Sequence, residues 1–214
     1  MKKLLLTAAA VAMPVGLVAA TGGIASAGAP ATDVTNASIT CTNVSGSLKF
    51  APALTLAGGN PENTSVKLAV SGCTVSGVAG VTVSAGKGSG VLHSTSNAAT
   101  GLLGNTAVTG QVAIKWTSNV KLTNKSSTVT VTYFTGGTST DGYASLDILA
   151  GNASVSGDFS GGESGANTTL HAESGQTVAA LTTTLAAPKS KGIKSITVVG
   201  GNPSQPTPSS LHLG

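Results

Sequence analysis

Few residues in this chain can do chemistry. Two cysteines, three histidines and seven carboxylates are spread over 214 residues, and arginine is absent. Cys41 and Cys73 allow a single pairing. In an oxidising compartment the default reading is a disulfide, whose closure of the intervening loop restricts the unfolded chain by roughly 3–4 kcal/mol. Two free thiols or a metal pair are the alternatives, but no histidine or acid lies close in sequence to complete a zinc set. His93 sits in Val91-Leu92-His93-Ser94 and His171 in Leu170-His171-Ala172-Glu173. With Glu173 they form a metal set only if the fold unites them, and taken singly they read as solvent-facing strand residues. His212 falls near the end of the chain.

The carboxylates are Asp33, Glu62, Asp141, Asp147, Asp158, Glu163 and Glu173. A glycosidase needs two of these about 5–9 Å apart across a cleft. Such clefts also carry aromatic platforms, and the aromatic residues number only six: Phe50, Trp116, Tyr133, Phe134, Tyr143 and Phe159. Trp116 and Tyr133 stand at strand positions that read as buried core. That scarcity argues against carbohydrate platforms and against stacking surfaces for single-stranded nucleic acid. Gly162-Glu163-Ser164-Gly165-Ala166 resembles the Gly-Asp-Ser-Gly-Gly of chymotrypsin-like proteases, with Glu163 for the usual Asp and Ala166 for the second Gly. A serine nucleophile needs a base, an orienting acid and oxyanion donors. Only His93 and His171 are plausible bases, and neither has the expected surroundings, so the segment reads as a Gly/Ser loop. No catalytic, cofactor-binding or metal-ligating residue is assigned.

The elements that must hold these residues begin after a leader. Lys2 and Lys3 precede an apolar run from Leu4 to Leu17, and Ala25-Ser26-Ala27 offers the small residues of a signal-peptidase site. The run is shorter than the ~20 residues of a membrane span. Residues 1–27 therefore read as a removable signal peptide, with the mature chain starting at Gly28. No cysteine stands at the cleavage point and no second long apolar segment follows. The expectation is a secreted, extracellular bacterial protein with no membrane span after cleavage.

Charged residues make up 8% of the chain, against about 25% in an average globular protein. Loss of Lys2 and Lys3 leaves nine lysines against seven acids. So small and scattered an excess does not suggest a nucleic-acid partner, which wants a clustered basic face. Sequons occur at Asn36, Asn43, Asn63, Asn124, Asn152 and Asn167, but they arise readily where Ser and Thr abound, and no glycosylation is inferred.

Past the leader, residues 28–36 read as a flexible arm, 37–200 as a single β domain and 201–214 as a Pro/Ser-rich disordered tail. Alternation of polar and apolar residues marks strands at 38–41, 47–50 and 65–70, with Val66, Leu68 and Val70 on one face. Shorter candidates lie around Val81 and Val83 and at 90–94. The clearest strand is 106–117, with Gly110 as a bulge. In 128–134, Val129, Val131 and Tyr133 share a face. In 143–149, Tyr143, Ser145, Asp147 and Leu149 oppose Ala144, Leu146 and Ile148. Weaker strands lie at 153–159 and 168–172, and a last one at 193–199. Val178, Leu181 and Leu185 have helical spacing before Pro188 and predict a short helix over 177–187. The fold expectation is all-β, a sandwich or barrel of roughly 8–11 strands with one short late helix and one disulfide.

The opening around Cys41 to Phe50, the Val70-Ser71-Gly72-Cys73 block, the Ile114-Lys115-Trp116 strand and Gly192-Ile193-Lys194-Ser195-Ile196 together resemble uncharacterised small secreted β-rich proteins of actinobacteria. The resemblance implies a β-sandwich or barrel with a disulfide and a Gram-positive secreted setting, and no particular activity.

Three functions are consistent with these residues. The first is a non-enzymatic secreted or cell-surface protein acting by binding, assembly or self-association. The second is a β-barrel carrier of a small apolar ligand. The third is an extracellular hydrolase with His93 or His171 as base. An exposed apolar patch favours the first, a dry closed cavity the second, and a histidine bonded to a carboxylate in a cleft the third.

Overall fold

A computed structural model describes residues 29–99, 105–138, 142–149, 151–161, 166–173, 176–200 and 209–214. The expected signal peptide and its cleavage site, most of the Gly162–Ala166 segment and residues 201–208 lie outside them. Along the described chain run β1 (Ser38–Leu54), β2 (Glu62–Ser76), β3 (Val83–Ser94), β4 (Asn105–Ser118), β5 (Ser126–Thr138), β6 (Ala144–Ile148), β7 (Ala153–Gly157), β8 (Ala166–His171), α1 (Val178–Ala186), β9 (Ile193–Val198) and β10 (Ser210–Leu213).

Eight of the strands close into an antiparallel barrel in the order β1-β2-β3-β4-β5-β6-β8-β10, with β10 returning to β1. Two long strands serve two neighbours each. β1 pairs with β10 through residues 39–41 and with β9 through residues 46–54. β5 pairs with β7 through residues 127–131 and with β6 through residues 135–138. β7 and β9 thus lie off the closed ring. The disulfide joins Cys41 to Cys73, directly opposed on β1 and β2.

The period-two pattern does what it predicts. On β2, Glu62, Thr64, Val66 and Val70 are buried, while Asn63, Ser65, Lys67 and Ala69 are exposed. On β6, Leu146 and Ile148 face the interior, as their alternation requires. Glycine makes room where the barrel is tightest. A Cβ on Gly86 would stand 2.7 Å from the Trp116 ring and 2.8 Å from Val70 Cγ2, so the indole occupies the space that Gly86 leaves. The expected helix is present, with Thr177 as its N-cap accepting from the Ala180 N–H at 3.1 Å. Its threonines are accommodated by back-bonding: Thr183 and Thr184 hydroxyls donate to the carbonyls of Ala179 and Ala180 at 2.9 Å.

Four expectations need correction. The segment read as a disordered tail supplies β10, which completes the barrel: Leu211 and Leu213 are buried, and Ser210–Leu213 pairs with both β8 and β1. A four-residue strand flanked by Pro and Ser carries too little periodicity to be seen locally. The arm read as flexible is tied down at the described residues: the Thr32 N–H donates to the Lys121 carbonyl at 2.8 Å, and Val34 is 1% exposed. Tyr133 does not continue the inner face of β5. The β4–β5 register shifts between the Ala107–Tyr133 and Gly110–Val131 pairs, and across that shift β5 changes phase, so that Phe134 follows Val129 and Val131 into the interior. Trp116, read as core, is only partly buried, with its ring packed against the core.

Candidate functional site

The interior of the barrel is the best-formed site among the described residues. Sixteen side chains from β1–β6, β8 and β10 line it, and only Thr64 and Thr168 are polar. They leave a cavity of about 60 Å³, several times the roughly 10–15 Å³ that holds a single water. Eight strands enclose an interior just wide enough to be filled by side chains or by one small ligand. The remaining void is lined almost wholly by apolar side chains.

The two ends of this tube differ. At the floor, the Trp116 indole meets the edge of Phe159 at a centroid distance of 5.4 Å and donates from Nε1 to Ser127 Oγ at 2.8 Å. The Ser127 hydroxyl donates in turn to the Asp158 carbonyl. Phe159 and Asp158 are fully buried, and the Asn124 N–H donates to Asp158 Oδ1 at 3.2 Å while Oδ2 has no partner. Burial pushes the Asp158 carboxyl above its ordinary range.

At the other end of β2, eight residues from Val70, stands Glu62, only 4% exposed. Its two carboxylate oxygens accept from the Thr64 hydroxyl at 3.0 Å. Burial raises its pKa, opposed by hydrogen bonds from Thr64 and from the backbone of Ala51. Glu62 lines a small chamber of about 20 Å³ together with Ser94 and Thr106, and Phe50, Thr64 and Phe134 border both this chamber and the lumen. An acid therefore stands behind two phenyl rings at one end of an apolar tube. Sequence reasoning passed over Glu62, although its phase matched Thr64, Val66 and Leu68; extending the β2 alternation by three residues would have found it.

No family model, curated protein or solved structure matches the chain. The site must therefore be read from its geometry alone.

The histidines do not meet. His93 is exposed on β3, with Nδ1 2.5 Å from Asn63 Oδ1 across the β2–β3 pair. His171 is 3% exposed at the end of β8. Cross-strand pairing sets Ser145 opposite His171 and Asp147 opposite Thr169, on the face of β6 and β8 away from the lumen. Burial pushes the Asp147 carboxyl up, against a hydrogen bond from Thr169 and the nearby His171 imidazole. Neither Asp147 Oδ1 nor His171 Nδ1 has a hydrogen-bond partner, so those atoms do not make the acid–imidazole contact that orients a general base. Among the described residues no group of three or more His, Cys, Asp or Glu side chains is placed to hold a metal ion. His212 Nδ1 instead lies 2.8 Å from the Thr40 hydroxyl.

Proposed function

We propose that the protein is an exported, non-enzymatic carrier whose barrel takes a slender apolar chain into its lumen. The observation that carries this reading is the internal cavity, in which fourteen of sixteen lining side chains are apolar. Phe50 and Phe134, between lumen and Glu62 chamber, are the side chains whose rotation would lengthen the space. The disulfide suits an oxidising, extracellular setting, and export rests on the leader at residues 1–27. Kinship with small secreted actinobacterial β proteins belongs to the same proposal.

Assembly through an apolar surface has less support. Among the described residues the exposed large apolar side chains are Leu56, Val91 and Leu149, which lie on separate segments of the chain. A hydrolase lacks the histidine–carboxylate bond at the described residues.

The test is titration of the mature protein with straight-chain alkanes and alkanols, read by calorimetry and by the fluorescence of Trp116, the single tryptophan, on the lumen floor. Saturable binding that strengthens with chain length and then falls abruptly at a limiting length is expected. Absence of binding across the series overturns the carrier reading and leaves the lumen as a packed core.

A further inference from the structure

The lysines are scattered in sequence, but the barrel gathers them. Lys49 on β1, Lys67 on β2, Lys87 on β3 and Lys115 on β4 are all exposed. The register sets them in one band on the outer face: Lys49 opposes Ser65, two residues from Lys67; Lys67 opposes Ser89, two residues from Lys87; and Lys87 directly opposes Lys115. Strand spacing and rise place successive members about 5–8 Å apart.

Among the described residues of these strands no acid is set beside the lysines on this face. The single acid in these four strands is Glu62, which is buried and faces inward. Like charges directly across a strand pair, as at Lys87 and Lys115, are destabilising. A purely structural surface would intersperse acids. Beside the lysines stand small residues: a shallow hollow of about 380 Å³ lies between Lys67 and Lys87, over Gly46, Ser47, Ala69 and Ser89. Lys67 and Lys87 thus flank an open hollow.

We infer that this band is a docking surface for a linear, phosphate-bearing polyanion. Lysine ammonium groups bind phosphate as point charges without demanding a fixed planar geometry, and a diagonal row matches a chain that presents charge at intervals. The aromatic residues of these strands, Phe50 and Trp116, belong to the lumen and its floor. No base-stacking platform therefore accompanies the lysines, and recognition is of phosphate rather than of nucleobases. The surface is separate from the lumen and stands whether or not a ligand enters the barrel.

The test uses the mature chain and long-chain inorganic polyphosphate, with affinity measured by calorimetry from low to physiological salt. The wild type is expected to bind, weakening steeply as salt rises. Lys49→Gln/Lys67→Gln/Lys87→Gln should lose at least tenfold in affinity. Lys121→Gln/Lys189→Gln/Lys191→Gln, off the band and equal in charge change, should bind as the wild type does. All six positions are exposed, and thermal unfolding verifies that each variant is folded. Failure of the wild type to bind, or equal losses in the two triple variants, overturns the inference. A clear preference for oligothymidylate over polyphosphate of equal charge also overturns it, in favour of a nucleic-acid surface.

Discussion

Glu62, Asp147 and Asp158 show what burial does to an acid. Desolvation raises all three pKa values, with hydrogen bonds opposing it at each. A raised acid means that the folded chain holds its proton more tightly than the unfolded chain does. The stability it contributes is full below the ordinary carboxylate range, near 4, and is lost as pH climbs through the raised values. Asp33 works in the opposite direction, because hydrogen bonds from Thr35 lower its pKa; its contribution is present above the ordinary value and lost on acidification. With three acids against one, the thermal midpoint should rise as pH falls from neutrality toward the ordinary carboxylate range, and Glu62→Gln should flatten that slope. A midpoint falling steadily over the same interval contradicts the assignment. Two neighbouring glycines supply a packing test. A Cβ on Gly88 meets Leu68, Ile114 and Val112 at 3.4–3.6 Å, ordinary contact, whereas one on Gly86 collides with the indole. Gly88→Ala should be neutral or stabilising by up to ~1 kcal/mol. Gly86→Ala should cost about 1–3 kcal/mol in denaturant unfolding and shift Trp116 emission.

Strands β10 and β4 show how a short or irregular element governs its neighbours. β10 is four residues long, yet it hydrogen-bonds to β8 on one side and β1 on the other. Without it, both partners become open edges that invite pairing between molecules. A stop codon at Ser209 should give a chain that aggregates or binds hydrophobic dye, and Leu211→Asp, which places a charge in the lumen, should abolish cooperative unfolding. A soluble truncated chain with wild-type melting would show that closure is dispensable. The register shift between β4 and β5 is as consequential: across it β5 changes phase, and Phe134, not Tyr133, reaches the constriction between lumen and Glu62.

The molecule combines an apolar interior, a cross-strand disulfide and an outer face whose charge is unevenly placed. Cys41 and Cys73 tether β1 to β2, and reduction should lower unfolding stability by roughly 3–4 kcal/mol, as in a loop of 32 residues. Denaturant curves with and without reductant measure this; coincident curves would show that strand pairing alone supplies the constraint. The charged band crosses β1 to β4, whereas Asp147 and the buried His171 belong to β6 and β8 on another part of the wall. Lumen and band can therefore be tested by separate variants.

Alternation in Ser65–Val70, Thr106–Thr117 and Tyr143–Leu149 was enough to place strands and most of their faces, because a side-chain period of two is a local property. Helical spacing before Pro188 likewise located α1, and two cysteines left one pairing. Non-local properties were out of reach of pattern. Closure by β10 depends on register with strands more than thirty and a hundred residues away. Lys49, Lys67, Lys87 and Lys115 became neighbours only through pairing across the sheet. Composition alone states how many charges a chain has, while the tertiary structure decides which of them lie within a Debye length of one another on the same face.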